Sequence, residues 1–254
     1  MSKKDEEIKE TFTTDPKNEQ TFAEFNPNTY ITSDEHLSII GGTQSGKTNH
    51  TIYYLRAQHK RGKKILMITA KPEEKYRNAF DTVVFDGESA IEQMMRVDPE
   101  TKKNQIVLWE VDITEGDEVA EVINALGEYL RDNHADEKPP KITVAVDEYS
   151  LLVKHKQEGS DINIALQRAS ATWRAYNGQL VVIAQRSTMI HHTILTQSRF
   201  TVYRLPAGDL KSLEKIVYPK LDEEFLDYLD NNRFFFTVID GFNENRFAPI
   251  PLQH

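Results

Sequence analysis

Short runs of apolar, mostly β-branched residues alternate with amphipathic stretches along most of the chain. Several of the runs are apolar at every position, which is typical of strands buried on both faces of a parallel sheet. They lie at 37–40, 65–68, 82–85, 106–109, 142–146 and 180–183. Helical patterns near 88–96, 116–133 and 161–176 separate them, so the sequence predicts an α/β fold with a mostly parallel central sheet flanked by helices.

The pattern changes beyond residue 199. An apolar run at 200–203 is followed by a helical stretch and then by a second apolar run at 234–239. Asp240-Gly241 follows this run and is a strong turn signal. Residues 242–250 are therefore predicted to return as an antiparallel hairpin at the C-terminal edge of the sheet.

Composition predicts one domain preceded by an arm. Residues 1–20 are almost wholly polar and are predicted to form a flexible N-terminal arm. Residues 21–254 are predicted to form a single domain, since 39% hydrophobic content in 254 residues suffices for one core. We expect a soluble protein that is not secreted, because no apolar run of about 18 residues and no signal peptide is present.

Charge and cysteine content narrow the chemistry. The chain has no cysteine, so any metal site must use oxygen ligands rather than thiolates. The net charge of −9 excludes a protein that coats nucleic acid with its whole surface. The most basic stretch, 59–64, with Lys71, Lys75 and Arg77 after it, is either a solvated connection or a local nucleic-acid contact.

One segment matches the phosphate-binding loop pattern G-x-x-x-x-G-K-[ST] at every fixed position, directly after the first buried run. In such a loop, backbone N–H groups surround the phosphates of a nucleotide, which requires close backbone approach. The following residues, 47–59, can form the helix whose N-terminus faces the anion. The sequence therefore predicts a nucleoside triphosphate bound with Mg²⁺, with Lys47 reaching the β and γ phosphates and Thr48 ligating the metal. The predicted loop comprises Gly41, Gly42, Thr43, Gln44, Ser45, Gly46, Lys47 and Thr48.

Two adjacent carboxylates follow the apolar run at 142–146. The C-terminal ends of parallel strands are where open α/β sheets bind ligands, so Asp147 is predicted to hold Mg²⁺ through its water shell. Glu148 is predicted to polarise an attacking water. Two acids at a strand end are a weak motif alone, and the alternative is a pair of solvated loop residues. Their position about 100 residues after the phosphate loop favours the functional interpretation.

The run at 180–183 also ends in polar residues, Gln185 and Arg186. A side-chain amide beside the nucleotide can orient water or sense the γ-phosphate, and the alternative is that the backbone satisfies Gln185. His191 and His192 are adjacent, so their side chains point in different directions and a shared metal is not expected.

These motifs resemble a known family. Residues 174–186, RAYNGQLVVIAQR, resemble the stretch of HerA and FtsK ATPases in which an arginine, a glycine-containing turn and an apolar strand lead to a Gln-Arg pair. Ala70-Lys71-Pro72 is similar to the family's Asp-Pro-Lys segment, with the acid replaced and the order of Lys and Pro reversed. The resemblance covers roughly 37–204 and is strongest to genome-packaging ATPases of membrane-containing viruses and phages.

The resemblance implies a ring, usually of six subunits, that hydrolyses ATP at subunit interfaces and pulls double-stranded DNA through its channel. An arginine from the neighbouring subunit would complete each site, with Arg174 the first candidate and Arg168 the second. The alternative is that both are ordinary exposed arginines paired with acids. Both lie off the apolar stripe that repeats at helical spacing, which consists of Ile162, Leu166, Ala169 and Trp173.

DNA contacts and further partners are less clearly indicated. The polar segment 154–159 either lines the DNA channel or forms an outward loop. A cytoplasmic or virion-associated location and docking to a virion vertex or membrane component are expected from the resemblance. Two alternatives stay open: a P-loop kinase, and a nucleotide-dependent assembly or secretion ATPase that does not act on DNA. Asp147, Glu148 and Gln185 favour water over a substrate hydroxyl as the nucleophile.

Overall fold

An 11-stranded sheet forms the centre of the molecule. The computed structural model describes residues 12–14, 21–23, 35–71, 73–101, 103–153, 160–203, 205, 209, 212–213, 236–240 and 243–247. The strands are β1 (Phe12–Thr14), β2 (Thr21–Ala23), β3 (His36–Ile40), β4 (Lys64–Thr69), β5 (Thr82–Val84), β6 (Ile106–Glu110), β7 (Ile142–Asp147), β8 (Gly178–Ala184), β9 (Ser198–Val202), β10 (Phe236–Asp240) and β11 (Asn243–Phe247).

The α-helices alternate with the strands of the sheet's parallel part. They are α1 (Lys47–Lys60), α2 (Glu74–Ala79), α3 (Gly87–Met95), α4 (Gly116–Asp132), α5 (Tyr149–Leu152), α6 (Asp161–Thr172) and α7 (His192–Thr196). A 3₁₀ turn, Trp173–Tyr176, occupies the end of the helix predicted over 161–176.

The strand order is β1-β2-β11-β10-β9-β3-β8-β7-β4-β6-β5. From β9 to β5 every neighbouring pair is parallel. Residues of β3, β6, β7 and β8 are buried throughout, in accordance with their continuous apolar runs. The predicted α/β fold with a mostly parallel sheet is therefore confirmed.

The C-terminal hairpin is also confirmed. Strand β10 pairs antiparallel with β9 and with β11, and Asp240 lies opposite Asn243 beside the predicted turn. Beyond the prediction, β11 pairs with β2 at Phe247 and Ala23, and β2 in turn pairs with β1, so β1 rather than the hairpin lies at that edge of the sheet. Strand β1 lies within the predicted arm, and the remainder of 1–20 is outside the described residues.

Two apolar clusters cover the two faces of the sheet. One contains Ile52 and Leu55 of α1 with Tyr76 of α2. The other packs α3, α4 and α6 against the opposite face. Neighbouring strand residues alternate between the clusters, as Ile39 and Ile40 do, because successive side chains of a strand point to opposite faces.

The carboxyl ends of the parallel strands meet at one edge of the sheet. The loop after β3 lies beside the end of β8, and the Gly41 N–H donates to the Ala184 carbonyl at 3.2 Å. The end of β4 pairs with the end of β7, where Thr69 lies opposite Asp147. The polar ends of β3, β8, β7 and β4 are therefore side by side.

Within the described residues, no helix has the length and apolar character needed to cross a lipid bilayer.

Candidate functional site

The loop between β3 and α1 has the backbone conformation of an anion-binding turn. Gln44 and Gly46 have positive φ values of 59° and 104°. The loop then enters α1, whose first backbone hydrogen bond runs from the His50 N–H to the Gly46 carbonyl at 3.0 Å. The N-terminus of a 14-residue helix thus stands at the edge of the sheet, where its free N–H groups favour an anion.

Gly41 meets a packing requirement that the sequence did not indicate. A Cβ atom at this position would lie 2.5 Å from the Cβ of Tyr203 and 2.8 Å from the Ser45 hydroxyl. The Tyr203 N–H donates to the Ile40 carbonyl at 2.8 Å, and its hydroxyl lies 2.8 Å from Nδ1 of buried His50. The loop therefore packs closely against the end of β9. The contact with Tyr203 by itself leaves no space for a side chain at Gly41.

The Lys47 ammonium group lies over the same loop. Its Nζ donates to the carbonyls of Gly41 at 2.7 Å and Gly42 at 2.9 Å. Burial lowers the pKa of Lys47, while the nearby carboxylates of Asp147 and Glu148 act in the opposite direction. The half-buried Lys47 ammonium group attracts the negative charge of phosphates. The two carboxylates would repel that charge unless a cation lies between them and the phosphates.

Asp147 ends β7 almost completely buried. Its Oδ2 accepts a hydrogen bond of 2.8 Å from the Tyr76 hydroxyl, and its Oδ1 accepts one of 2.9 Å from the Glu148 N–H. Burial is the main cause that raises the pKa of Asp147 to about 6, although these hydrogen bonds oppose it. A buried carboxylate at this edge gains from a cation, which replaces the solvation that burial removes.

Glu148 has a left-handed backbone conformation, with φ 49° and ψ 45°. For a residue other than glycine this conformation costs about 1 kcal/mol or more, and such residues cluster at functional sites. It turns the Glu148 side chain away from the heading of Asp147 and toward β8. There, Nε2 of Gln185 donates to both carboxylate oxygens of Glu148, each at 3.2 Å.

Gln185 also reaches the phosphate-binding loop. The Thr43 hydroxyl donates to Oε1 of Gln185 at 3.4 Å. The structure thus connects Thr43, Gln185 and Glu148, which come from three different parts of the chain. Backbone groups alone do not account for the position of Gln185, which was the alternative left open by the sequence.

Helix α2 adds residues that sequence reasoning missed. Glu73, which precedes it, lies with Oε2 at 3.5 Å from the Thr48 hydroxyl, and its other oxygen lies 3.6 Å from Nζ of Lys71. Tyr76 is fully buried, and burial together with Asp147 raises its pKa well above the ordinary value. The only available signal was their position directly after β4, at the same sheet edge.

The donor set fits a magnesium ion. Thr48 and Asp147 provide a hydroxyl and a carboxylate, and Mg²⁺ bound with a nucleotide takes one or two protein carboxylates together with phosphate oxygens. The buried Asp147 carboxylate, with its raised pKa, is the observation that favours a cation at this point. Both residues are close to Tyr76, which interacts electrostatically with each side chain.

Comparison with known proteins identifies the fold. No protein-family profile and no curated protein sequence matches the chain. Solved structures do match, among them the genome packaging NTPase B204 of Sulfolobus turreted icosahedral virus 2 in complex with AMPPCP. The TM-score is 0.61 at 16% identity, and the match covers 89% of this chain and all of B204. The chain has a P-loop NTPase fold.

Two further structures with this P-loop NTPase fold are similar to the chain. EssC of Geobacillus thermodenitrificans, represented by its ATPases 2 and 3, gives a TM-score of 0.61 at 12% identity, covering 96% of this chain and 44% of that one. VirB4 of Thermoanaerobacter pseudethanolicus gives 0.59 at 12% identity, covering 85% and 89%. These neighbours belong to the ATPases that the sequence motifs resemble.

Arg174 lies at the amino ends of the parallel strands, whereas the P-loop lies at their carboxyl ends. Arg174 belongs to the 3₁₀ turn before β8, and β8 has seven residues. At about 3.3 Å per residue, roughly 20 Å separates Arg174 from the loop of its own subunit. The Arg174 side chain is 61% exposed, and its guanidinium group lies 3.4 Å from the Glu35 carboxylate, which also pairs with Arg199.

Arg168 is exposed on α6, and no ion pair joins it to any other residue in the part of the chain that the structure describes. The structure therefore does not bring Arg174 to the P-loop of the same subunit. The alternative of an arginine paired with an acid is realised for Arg174, through Glu35.

The basic stretch at 59–64 is not a continuous surface patch. Lys63 is buried, and its Nζ donates to Oε1 of Gln179 at 3.1 Å. Lys64 donates to the Met95 carbonyl at 3.0 Å. The interpretation of 59–64 as a solvated connection between a helix and a strand is therefore wrong for these two residues. The turn between α1 and β4 is short, so Lys63 and Lys64 lie at the start of a buried strand.

Two other predicted features are easily placed. Nδ1 of His191 accepts a hydrogen bond of 3.2 Å from the Thr193 N–H, so this side chain caps α7. Segment 154–159, which the sequence left open as a channel-lining segment or an outward loop, lies outside the described residues.

Proposed function

We propose that this chain hydrolyses ATP to translocate double-stranded DNA, as the motor that packages a viral genome. The observation that carries the catalytic part is the contact between Glu148 and Gln185 beside the phosphate-binding loop. It places a carboxylate and a side-chain amide together at the edge where Lys47 and Thr48 begin α1. Such a pair has the two groups that are needed to orient and deprotonate a water molecule.

In this proposal the backbone N–H groups of Gly41 to Thr48 hold the α and β phosphates, and Lys47 contacts the β and γ phosphates. Thr48 and Asp147 hold Mg²⁺, which supplies positive charge against the phosphates. Glu148 accepts a proton from water while the water oxygen bonds to the γ-phosphorus. The bond from that phosphorus to the β–γ bridging oxygen breaks, so ADP leaves with the electron pair.

Hydrolysis is favoured over phosphoryl transfer to a second substrate by the immediate surroundings of Glu148. A kinase needs space for a substrate hydroxyl at the position of the attacking water. Here the Glu148 carboxylate is held by Gln185, and Gln185 is in turn held by Thr43 of the phosphate-binding loop. This short polar chain suits a small nucleophile that is held by hydrogen bonds.

The active unit in this proposal is a ring of subunits, six of them by family resemblance. Arg174 is exposed at the amino end of β8, far from the P-loop of its own subunit, so it acts only on the nucleotide of a neighbouring subunit. An arginine that is supplied in trans stabilises the charge that develops on the transferred phosphoryl group. Arg168, exposed on α6, is the second candidate for this role.

DNA is proposed as the substrate because the structural match with the genome packaging NTPase B204 extends over the whole of that chain. Sequence-independent movement requires phosphate contacts from only a few Lys or Arg residues per subunit, multiplied around a ring. A net charge of −9 is therefore compatible with a DNA motor whose contacts are local. Docking to a virion vertex or membrane component belongs to the same proposal.

Displacement of a triplex-forming strand from double-stranded DNA tests translocation directly. The wild type should displace the third strand when ATP and Mg²⁺ are present, and Glu148→Gln protein should bind the DNA without displacing the strand. Strong ATP turnover with no displacement, on several DNA lengths, would reject the DNA motor. That result would favour the assembly or secretion ATPase, which would use the same site.

A further inference from the structure

Helix α2 spans the edge of the sheet beside the nucleotide site. Arg77 fixes it on one side through a two-pronged pair with Glu110, whose oxygens lie 2.6 Å and 2.5 Å from Nε and Nη2 of the arginine. Glu110 itself ends β6, directly beside the end of β4. The pair with Glu110 thus attaches α2 to the end of β6. This attachment also defines the positions of Glu73 and Tyr76, which precede Arg77.

Tyr76 connects this helix to the strand that carries Asp147. The hydroxyl donates to Oδ2 of Asp147 at 2.8 Å, and the ring is fully buried between Phe80 and the sheet. The Glu148 N–H donates to Oδ1 of the same carboxylate. The Asp147 carboxylate is therefore held from two sides and has one orientation.

Glu73 lies beside Thr48, the other residue proposed to hold the metal ion. Its Oε2 is 3.5 Å from the Thr48 hydroxyl. Neighbouring oxygens around octahedral Mg²⁺ are roughly 3 Å apart, given metal–oxygen distances of about 2.0–2.1 Å. The distance of 3.5 Å between the Glu73 oxygen and the Thr48 hydroxyl is thus close to the distance between two oxygens around one hydrated ion.

The simplest alternative is that Glu73 only neutralises Lys71. Their contact is 3.6 Å long, and the two side chains are 33% and 51% exposed. A half-exposed pair of this kind contributes little to stability. It also uses the Glu73 oxygen that does not face Thr48, so the contact with Thr48 is not explained by Lys71.

We propose that Glu73 is a second carboxylate of the metal site, acting on a water of the ion that Thr48 and Asp147 hold, and that Tyr76 is the positioning residue for Asp147. This inference rests on the proposed function, since it needs a metal–nucleotide complex at the P-loop. It assigns to the segment after β4 a role in binding the cation, beyond its role in packing. Residues that support metal ligands in this way commonly change metal affinity by about 10–100-fold.

Metal affinity is measured without turnover. Mn²⁺ is titrated into the full-length protein with a saturating non-hydrolysable ATP analogue, and free Mn²⁺ is followed by electron paramagnetic resonance. Glu73→Gln should raise the Mn²⁺ dissociation constant at least about tenfold. The matched control Glu74→Gln changes an exposed acid one position later and should leave that constant at the wild-type value.

Two further variants separate the explanations. Lys71→Gln removes the partner of Glu73 and should leave Mn²⁺ affinity within about twofold, whereas an ion-pair role would make it equivalent to Glu73→Gln. Tyr76→Phe keeps the buried ring and removes only the hydroxyl, and it should weaken Mn²⁺ binding about tenfold. Circular dichroism and thermal unfolding of each variant establish that the fold is intact.

The outcomes distinguish this inference from the proposed function. Wild-type protein that binds no analogue, with or without Mn²⁺, overturns the proposed function and with it the inference. Wild-type protein that binds Mn²⁺ with the analogue, together with unchanged affinity in folded Glu73→Gln, overturns the inference alone. Unchanged affinity in Tyr76→Phe overturns the positioning role.

Discussion

The side-chain amide of Gln185 lies 3.2 Å from each carboxylate oxygen of Glu148. The two residues directly follow neighbouring parallel strands, β8 and β7, and are 37 positions apart in the sequence. Because Glu148 has a left-handed backbone, its carboxylate faces Gln185 rather than following Asp147. This relationship gives adjacent acids different surroundings and different expected roles.

Glu148→Gln should retain ATP binding and lose turnover. Removing a general base typically costs about 10²–10⁴ in rate, whereas the phosphate-binding loop and Asp147 are unaltered. Equilibrium binding of a fluorescent ATP analogue and steady-state phosphate release measure the two effects. Turnover at the wild-type rate would remove Glu148 as the group that activates water.

Lys47→Ala should weaken nucleotide binding and abolish turnover. The variant loses the cation closest to the loop carbonyls of Gly41 and Gly42, and no other Lys or Arg makes those contacts in the described part of the chain. A lost charge-assisted contact to phosphate corresponds to about 1.5–3 kcal/mol, or roughly 10–150-fold in affinity. Lys75→Ala, an exposed lysine on α2, is the control. Full turnover in Lys47→Ala would contradict the assignment of the loop.

Several elements were predictable because a local pattern determines them. The buried strands follow from continuous apolar runs, and the loop at 41–48 and the acids after β7 follow from short motifs with fixed spacing. The contacts of Glu73 and Tyr76 were not predictable, since α2 has only six residues and its position depends on the pair of Arg77 with Glu110.

The packing contact that requires glycine at position 41 was also not predictable from the sequence. The motif predicted close approach of a phosphate, but the structure adds close approach of Tyr203, which is more than 160 residues away. Likewise, nothing local indicates that Glu35 pairs with both Arg174 and Arg199. Such contacts arise only when the sheet assembles.

Arg174→Ala should leave nucleotide binding by the isolated subunit intact and stop turnover in the assembly. Substitution of an exposed residue changes stability by about 0.5 kcal/mol or less, and Glu35 keeps Arg199 as a partner. Loss of a trans arginine costs about 10³-fold or more in rate. The matched comparison is Arg168→Ala, and steady-state turnover of each variant is the measurement.

Mixing experiments separate cis from trans action of this arginine. Arg174→Ala protein mixed with Glu148→Gln protein should recover part of the activity, because some interfaces then combine an intact Glu148 with an intact Arg174. Activity lost in Arg168→Ala but not in Arg174→Ala would show that Arg168 is the finger. No recovery on mixing would contradict the proposed action of Arg174 on the neighbouring subunit.

Gly41→Ala should destabilise the fold by about 1–3 kcal/mol, which is the usual cost of overpacking. The new Cβ would lie 2.5 Å from the Cβ of Tyr203, close to the backbone, where little adjustment is available. Gly116→Ala is the control, because the nearest atoms to a Cβ there are 3.4 Å and 3.6 Å away. Urea unfolding compares the two variants with the wild type. Equal stabilities would contradict the described packing of Tyr203 on the loop.

Acid should destabilise the protein through His36. Burial lowers the pKa of His36 from 6.5 to about 4. A hydrogen bond with the Ser170 backbone opposes this effect, whereas the charges of Arg174 and Lys63 add to it. Between these pH values the unfolded chain binds more protons, so the free energy of unfolding falls as the pH falls through this window. The contribution of His36 to this loss of stability is about 3.4 kcal/mol at most, at 1.36 kcal/mol per pH unit.

The control for this pH dependence is His36→Asn. Nδ1 of His36 accepts a hydrogen bond from the Leu180 N–H at 2.9 Å, and an asparagine oxygen can accept the same bond without titrating. Urea unfolding from pH 7 to pH 4 should show a shallower loss of stability in the variant. Parallel curves for the two proteins would contradict the assigned role of His36.

Steady-state ATP hydrolysis with and without double-stranded DNA, over a range of protein concentrations, tests the central claim most directly. A motor whose sites are completed by a neighbour's arginine should be stimulated by DNA, and its rate should rise faster than linearly with protein concentration. Turnover that is indifferent to DNA and strictly proportional to protein concentration would contradict both the DNA substrate and the shared site.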